Sequence, residues 1–104
     1  MNILIVDDDT SIRRNLHEVL ENSGHSVVES SNGKEAIDLL NRENVHLVLT
    51  DMRMPEIDGL ELLKRIKKSD NLKDLVVVLF TGHGDIKNAV EAMKNGAYDY
   101  LSKP

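Results

Sequence analysis

The sequence predicts an α/β fold, a doubly wound sheet of five parallel strands, and three observations favour it. Short apolar runs of strand length alternate along the chain with amphipathic stretches of helix length. Two of the runs, residues 3–6 and 75–80, are uninterrupted, as in strands buried on both faces. No repeat, linker or low-complexity segment divides the 104 residues, so we expect one domain with helices on both faces of the sheet.

The first part of the chain predicts two strands with a helix between them. Residues 3–6 form the first strand, and Asp9 or Thr10 is the N-cap of the helix that follows. Gly24 lies where a left-handed residue ends a helix, and residues 27–28 form a short second strand. The apolar face of this first helix consists of Ile12, Leu16, Val19 and Leu20.

Two helices in the middle of the chain begin at capping residues. Asn32 with Glu35, and Asp58 with Glu61, have the spacing of a capping box. Residues 45–49 form the third strand between these helices. The two apolar faces consist of Ala36, Ile37 and Leu40, and of Leu60, Leu63 and Ile66.

The last part of the chain predicts two strands and one helix. Residues 75–80 form the fourth strand, Gly96 ends the fourth helix, and residues 97–101 form the fifth strand. A doubly wound sheet normally continues into a further helix, which this chain lacks after Pro104, so we expect part of an apolar sheet face to be exposed. Either the chain is trimmed or a partner chain covers this face. Without the helix, we expect lower stability and a tendency to dimerise, exchange segments or aggregate. The fourth helix has an apolar face of Ile86, Ala89, Val90 and Met93.

The composition excludes several classes of protein. No cysteine is present, which excludes a disulfide scaffold and a thiolate metal or redox site. The net charge of −5 disfavours direct binding to nucleic acid. No apolar run is long enough for a membrane span, and the first residues lack a basic segment and a cleavage site, so we expect a cytoplasmic protein.

Polar side chains follow four of the predicted strands. Residues 7–9 are three aspartates after the first strand, Asp51 follows the third, Thr81 the fourth and Lys103 the fifth. Ligands of open parallel sheets bind beyond the carboxyl ends of the strands. Any one of these acids would by itself be read as a turn or cap residue, but their joint placement favours a site.

Asp7, Asp8 and Asp51 would repel one another at close range unless a cation lay among them. Oxygen ligands without cysteine or clustered histidine indicate Mg²⁺ or Mn²⁺. A carboxylate so placed can act as a nucleophile in phosphoryl transfer, and Asp51 is the candidate because it stands alone on the central strand. The Thr81 hydroxyl would then donate a hydrogen bond to an oxygen of the transferring phosphoryl group, and Lys103 would neutralise part of the charge of that group.

The sequence resembles the receiver domains of two-component response regulators. The motifs that carry the resemblance are Val-Asp-Asp-Asp (6–9), Thr-Asp-Met-Arg-Met-Pro-Glu-Ile-Asp-Gly (50–59), Thr-Gly-His-Gly-Asp (81–85) and Gly-Ala-Tyr-Asp-Tyr-Leu-Ser-Lys-Pro (96–104). The segment 81–104 is most similar to receivers of the nitrogen-regulatory or dicarboxylate-transport type. The resemblance implies a flavodoxin-like strand order, 2-1-3-4-5, and a single receiver domain over residues 1–104.

The resemblance also implies a role for each site residue. Asp51 would accept phosphate from a phosphohistidine of a sensor histidine kinase. Asp8 would bind Mg²⁺ directly and Asp7 mostly through water, and the backbone carbonyl of Arg53 would complete the protein ligands. Lys103 would contact the phosphoryl group, and its peptide bond to Pro104 would be cis.

Thr81 and Tyr100 would form the switch. Thr81 would move toward the phosphoryl group, and Tyr100 would turn inward into the vacated space, although the alternation of Tyr98 and Tyr100 also has a purely structural explanation. The surface of the fourth helix and fifth strand would then favour another partner. The regulated output would be transcription, and the output domain would lie outside this chain. Such a domain assists its own phosphorylation and is not a turnover enzyme.

Two other classes remain open from the sequence. One is a receiver-like interaction module that takes no phosphate. The other is an aspartyl-nucleophile phosphatase, whose Asp-x-Asp pattern would need an acid where this chain has Arg53. A flavodoxin-like cofactor binder is disfavoured because no phosphate-binding loop rich in Ser, Thr or Gly follows the first strand.

Overall fold

The structure is a computed structural model that describes residues 1–82 and 86–102. Over these residues, strands and helices alternate from the first element to the last, as the sequence predicts. In chain order they are β1 Asn2–Val6, α1 Thr10–Asn22, β2 Ser26–Ser30, α2 Gly33–Arg42, β3 Leu47–Asp51, α3 Gly59–Lys68, β4 Val76–Thr81, α4 Ile86–Lys94 and β5 Asp99–Ser102.

The strands form one parallel sheet in the order β2-β1-β3-β4-β5, which confirms the predicted topology. β3 lies at the centre, with Val6 of β1 opposite Thr50 and Phe80 of β4 opposite Asp51. The residues that follow β1 therefore emerge beside the last residue of β3. This register brings the acidic segments together at one edge of the sheet.

The main core lies between one face of the sheet and the helices α2, α3 and α4. Residues of one parity along the strands face these helices, because successive side chains of a strand point to opposite faces. The buried members of this core include Leu4, Val6, Val48, Val77 and Leu79 from the sheet, and Ala36, Leu40, Leu62, Leu63, Ile66 and Ala92 from the helices.

Helix α1 lies alone on the other face of the described sheet, and its predicted apolar face is only partly covered. No residue of α1 is buried, and the Val19 side chain is 60% exposed.

An apolar groove lies beside α1, and Leu101 at its edge is 47% exposed. Its lining also includes Ile12 and Leu16 of α1. The expectation of an exposed apolar sheet face thus holds at Leu101, whereas Val78 and Phe80 on the same face are buried.

All four strands after β1 extend further toward their carboxyl ends than the apolar runs predicted. The predicted third strand, 45–49, is observed at Leu47–Asp51, and the fourth, fifth and second also end later. The periodicity of apolar residues stops at the last apolar side chain, whereas the backbone ladder continues through polar residues such as Asp51 and Thr81. The polar site residues are consequently held by the sheet.

The N-caps of α1, α2 and α3 are predicted residues, but neither capping box has its reciprocal bond, since Glu35 accepts the N–H of Ser31 and not that of Asn32. Asp9 is the N-cap of α1, which resolves the choice between Asp9 and Thr10, and Asp58 accepts a hydrogen bond from the backbone N–H of Glu61 at 2.8 Å. The reciprocal half of the capping box at Glu61 is wrong, because this carboxylate pairs with Arg65 one turn further along α3. None of the described helices has the length and apolar character needed to span a membrane.

The glycines predicted to end α1 and α4 have the left-handed backbone that this role requires. Gly24 has a φ of 95° and Gly96 a φ of 97°. A side chain is strained in this conformation, which explains why glycine occupies both positions.

Candidate functional site

Three carboxylates meet at the carboxyl ends of β1 and β3. Asp7, Asp8 and Asp51 each place one carboxylate oxygen within 4.8 Å of the other two. Asp7 is fully buried and Asp51 is 7% exposed, whereas Asp8 is exposed. The cluster is therefore an acidic pocket that opens to solvent beside Asp8, and we use that name for it below.

The end of β3 holds Asp51 by several backbone contacts. The hydroxyl of Thr50 donates to the carbonyl of Asp51 at 3.0 Å, and the N–H of Met52 donates to the carbonyl of Phe80 on β4 at 3.1 Å. The N–H of Arg53 lies 3.5 Å from Oδ1 of Asp51. These contacts fix the backbone around Asp51 while its carboxylate faces the pocket.

Helix α3 begins in close contact with the same backbone. The N–H of Gly59 donates to the carbonyl of Met52 at 2.9 Å. A Cβ on residue 59 would meet the carbonyl oxygen of Asp51, so only glycine permits this approach. The start of α3 thus supports the strand end that carries Asp51.

Asp7 and Asp9 have distinct positions in the loop between β1 and α1. The N–H of Asp7 donates to the carbonyl of Ser30 on β2 at 3.1 Å, which continues the sheet ladder by one residue. Oδ1 of Asp7 accepts the N–H of Asp9 at 2.9 Å, and Asp9 caps α1. Of the three successive aspartates, Asp7 and Asp8 thus contribute to the pocket and Asp9 to the helix.

Thr81 and Tyr100 lie on the neighbouring strands. Thr81 is buried at the end of β4, beside the strand that carries Asp51, and Tyr100 on β5 is half-buried against the main core. Tyr98, by contrast, is 71% exposed. The alternation of the two tyrosines therefore places Tyr100 inward. His83, Lys103 and the peptide bond to Pro104 lie outside the described residues.

A group of charged residues that the sequence did not indicate lies next to the pocket. The Arg13 guanidinium donates to the backbone carbonyl of Asp7 at 2.7 Å and to Glu29 at 2.8 Å, and His17 lies 2.6 Å from the other oxygen of Glu29. Arg13 and His17 are four residues apart, a spacing that places them on one face of α1 and was the available signal. Nothing in the local pattern indicated Glu29 of β2 as their partner.

His17 and Glu29 shift each other's pKa. Desolvation alone would lower the pKa of His17, but the hydrogen bonds and charges of Glu29 and Glu21 outweigh it and raise that pKa above its usual value. Desolvation alone would raise the pKa of Glu29, but its bonds to His17 and Arg13 lower it instead. The lowered pKa keeps Glu29 negatively charged beside Arg13 and His17.

The acidic pocket has the chemistry of a site for a hard divalent cation. Its three side-chain donors are all carboxylates, which suit Mg²⁺ or Mn²⁺ and not the softer metals. The buried position of Asp7 and Asp51 also makes a compensating cation favourable, because like charges repel strongly away from water.

Comparison with known proteins decides the family. Residues 3–104 match the response regulator receiver domain. The chain belongs to this family. Receiver domains are signalling modules that interact with sensor kinases and bind Mg²⁺ through acidic residues, and the acidic pocket provides such residues here.

The curated relatives of this receiver domain are transcriptional regulators. The chain is 39% identical over 103 residues to the C4-dicarboxylate transport transcriptional regulatory protein DctD of Rhizobium meliloti, with 99% of this chain and 22% of the relative covered. It is 44% identical over 100 residues to the DNA-binding transcriptional regulator NtrC of Klebsiella pneumoniae, with 96% and 21% covered. The chain thus spans about a fifth of the length of these relatives, and the predicted subfamily resemblance is confirmed.

Solved structures of receiver domains share the fold. A response regulator receiver domain protein from Clostridium thermocellum superposes with a TM-score of 0.92 at 38% identity, with 99% of this chain and 82% of that chain covered. The Mn²⁺-bound form of the response regulator Rcp1 superposes with a TM-score of 0.89 at 28% identity, with 99% and 81% covered.

Proposed function

We propose that residues 1–104 act as the phosphoacceptor domain of a two-component system and that Asp51 is the residue phosphorylated. The observation that carries this proposal is the convergence of Asp51 with Asp7 and Asp8 in one pocket. A buried carboxylate at the end of the central strand, beside two further acids, is arranged for phosphoryl transfer to itself.

In the proposed reaction, an oxygen of the Asp51 carboxylate attacks the phosphorus of a phosphohistidine. The new O–P bond forms as the P–N bond breaks, and the imidazole nitrogen keeps the electron pair of that bond. The backbone contacts around Asp51 hold its carboxylate in place, which reduces the entropic cost of an in-line attack.

Asp7, Asp8, the Asp51 carboxylate and the backbone carbonyl of Arg53 are the proposed ligands of Mg²⁺ or Mn²⁺. When bound, the cation supplies positive charge to the phosphoryl oxygens in the transition state. Lys103 would supply a second positive charge, and the Thr81 hydroxyl would donate a hydrogen bond to a phosphoryl oxygen. The buried position of Thr81 at the end of β4 supports this role.

Phosphorylation is proposed to act as a switch on the surface of α4 and β5. Thr81 would shift toward the new phosphoryl group, and Tyr100, which is half-buried on the adjacent strand, would move further inward. Two packings of this region would differ in their affinity for an output partner or a second copy of the chain. The proposed donor is a sensor histidine kinase in the cytoplasm.

Intact-mass spectrometry after incubation with acetyl phosphate tests the proposal. The wild-type chain should gain one phosphoryl group with MgCl₂ and none with EDTA. Asp51→Asn should gain none under either condition, because the nucleophilic oxygen is replaced by an amide. Asp70→Asn is the matched control, since it makes the same change at a side chain that is 99% exposed, and it should behave like the wild type.

Two results would reject the proposal. One is a folded wild-type chain that binds Mn²⁺ and yet gains no phosphoryl group. The other is an equal gain in Asp51→Asn, which would assign phosphorylation to another residue. Failure of the folded wild type to bind a divalent cation would instead favour an interaction module.

A further inference from the structure

A chain of charged side chains runs from α1 across β2 to the acidic pocket. Arg13 Nε donates to Glu29 Oε1 at 2.8 Å, and Arg13 Nη1 donates to the carbonyl oxygen of Asp7 at 2.7 Å. His17 Nδ1 lies 2.6 Å from Glu29 Oε2, and His17 Nε2 lies 3.1 Å from Glu21 Oε2. Both oxygens of Glu29 are therefore engaged by residues of α1.

The burial of Arg13 makes its orientation specific. Its side chain is 12% exposed and that of Glu29 is 22% exposed. A cation that is so enclosed needs partners on its donors, since an unpaired buried charge is costly. The guanidinium presents its N–H groups in a rigid planar fork, so the bond to Glu29 also directs the bond to Asp7.

The bond from Arg13 acts on the peptide plane between Asp7 and Asp8. The carbonyl of Asp7 and the N–H of Asp8 belong to one planar unit, because the peptide bond is rigid. A partner that fixes the carbonyl therefore fixes the direction in which the chain enters Asp8. The N–H of Asp7 is held separately by Ser30, so the Arg13 bond adds a constraint that the sheet ladder does not supply.

We propose that Arg13 is a positioning residue for the acidic pocket: oriented by Glu29, it holds the Asp7–Asp8 peptide so that both carboxylates converge with that of Asp51. The inference rests on the proposed function, since it requires the pocket to bind a divalent cation. The three carboxylates repel one another, and a loop free to rotate would separate them before the cation binds. Mg²⁺ demands near-octahedral geometry, so prior placement of its ligands favours binding.

The charge of Arg13 and its positioning role predict opposite changes in metal affinity when Arg13 is replaced. The inference is therefore testable. A cation next to an acidic pocket repels an incoming metal ion, so its removal should strengthen metal binding if electrostatics alone operated. Its removal should weaken binding if Arg13 positions the ligands. Arg14, the next residue of α1, is exposed and provides a control with the same change in charge.

The experiment measures the affinity for Mn²⁺ alone, from the electron paramagnetic resonance signal of the free ion. Arg13→Met should raise the Kd by about tenfold or more, the usual effect of removing a residue that orients metal ligands. Arg14→Met should leave the Kd unchanged or lower it slightly. Arg13→Lys keeps the charge but lacks the fork, and its Kd should fall between those of the wild type and Arg13→Met.

A second variant keeps the test decisive if Arg13→Met does not fold, as judged by circular dichroism and urea unfolding in EDTA. Glu29→Gln leaves Arg13 in place but weakens the bond that orients it, and it should raise the Kd for Mn²⁺ more than Glu18→Gln does. Glu18 is exposed on α1 and undergoes the same change in charge.

The outcomes separate the two proposals. The positioning role is overturned if folded Arg13→Met has a Kd equal to or below that of Arg14→Met. If Arg13→Met does not fold, the positioning role is overturned by equal Kd values for Glu29→Gln and Glu18→Gln. In either case the phosphoacceptor proposal is untouched. No Mn²⁺ binding by the wild type overturns the metal-dependent function and this inference with it.

Discussion

Replacing Gly59 with alanine should destabilise the domain, because α3 begins in contact with the backbone that carries Asp51. The added Cβ would meet the carbonyl oxygen of Asp51 and would lie 2.8 Å from Leu79 Cδ2 and 2.9 Å from Met52 Cα. Two of these three atoms are backbone atoms at the end of the central strand. They cannot yield without disturbing the ladder between β3 and β4, so α3 itself has to move.

The expected cost follows from the type of contact. Overpacking in a dense interior costs about 1–3 kcal/mol, and the backbone contacts at Gly59 place this variant in the upper part of that range. The higher helix propensity of alanine returns up to about 1 kcal/mol. The net loss of about 2 kcal/mol should lower the melting temperature by roughly 10–15 °C for a domain of this size.

Urea and thermal unfolding by circular dichroism measure this loss. Gly82→Ala is the matched control, because a Cβ there meets nothing within 4 Å, and its stability should lie within about 0.5 kcal/mol of the wild type. The affinity of Gly59→Ala for Mn²⁺ should also fall, since the displaced carbonyl belongs to Asp51. Equal stability of the two alanine variants would refute the close approach of α3 to β3.

The remaining predictions concern the charged group on α1 and the proposed switch. The pKa of His17 is raised in the folded state, so its stabilising contribution is complete below the usual pKa of 6.5 and is lost as the pH rises through the higher folded value. The difference in unfolding free energy between wild type and His17→Asn, measured in urea from pH 5.5 to about 8.5, should therefore shrink as the pH rises; a constant difference would contradict it. Thr81→Ala should still gain a phosphoryl group on Asp51 but should lose most of the phosphorylation-dependent change in amide hydrogen exchange of β5. A hydrogen bond to a charged oxygen is worth about 1.5–3 kcal/mol, enough to decide between two packings; an undiminished change in Thr81→Ala would exclude Thr81 from the switch.

Much of the fold was predictable because it is encoded in local patterns. Strand-length apolar runs, the caps at Asn32 and Asp58, and the glycines at 24 and 96 act within a few neighbouring residues. The acidic pocket was also predictable, although its members are far apart in the chain. Parallel strands end at a common edge, so placing Asp51 and residues 7–8 at strand ends implied their convergence.

The exposure of particular side chains was less predictable, because it depends on what packs over each element. Val19 belongs to a regular apolar face of α1 and is nevertheless exposed, since α1 is the only described helix on its side of the sheet. The alternation of side chains along the predicted fifth strand, 97–101, showed that Tyr98 and Tyr100 point to opposite faces. Which of the two points inward was indicated in the sequence only by resemblance to a family.

By itself, the sequence determined the order of the elements, their caps and the acidic edge of the sheet, because these follow from periodicity and from the direction of parallel strands. Only the tertiary structure brought Arg13 of α1 against Glu29 of β2 and the carbonyl of Asp7, and Gly59 against Asp51. These contacts join elements that share no local pattern. They depend on the distance and rotation at which a helix packs against the sheet, and the packing of the whole core sets both quantities.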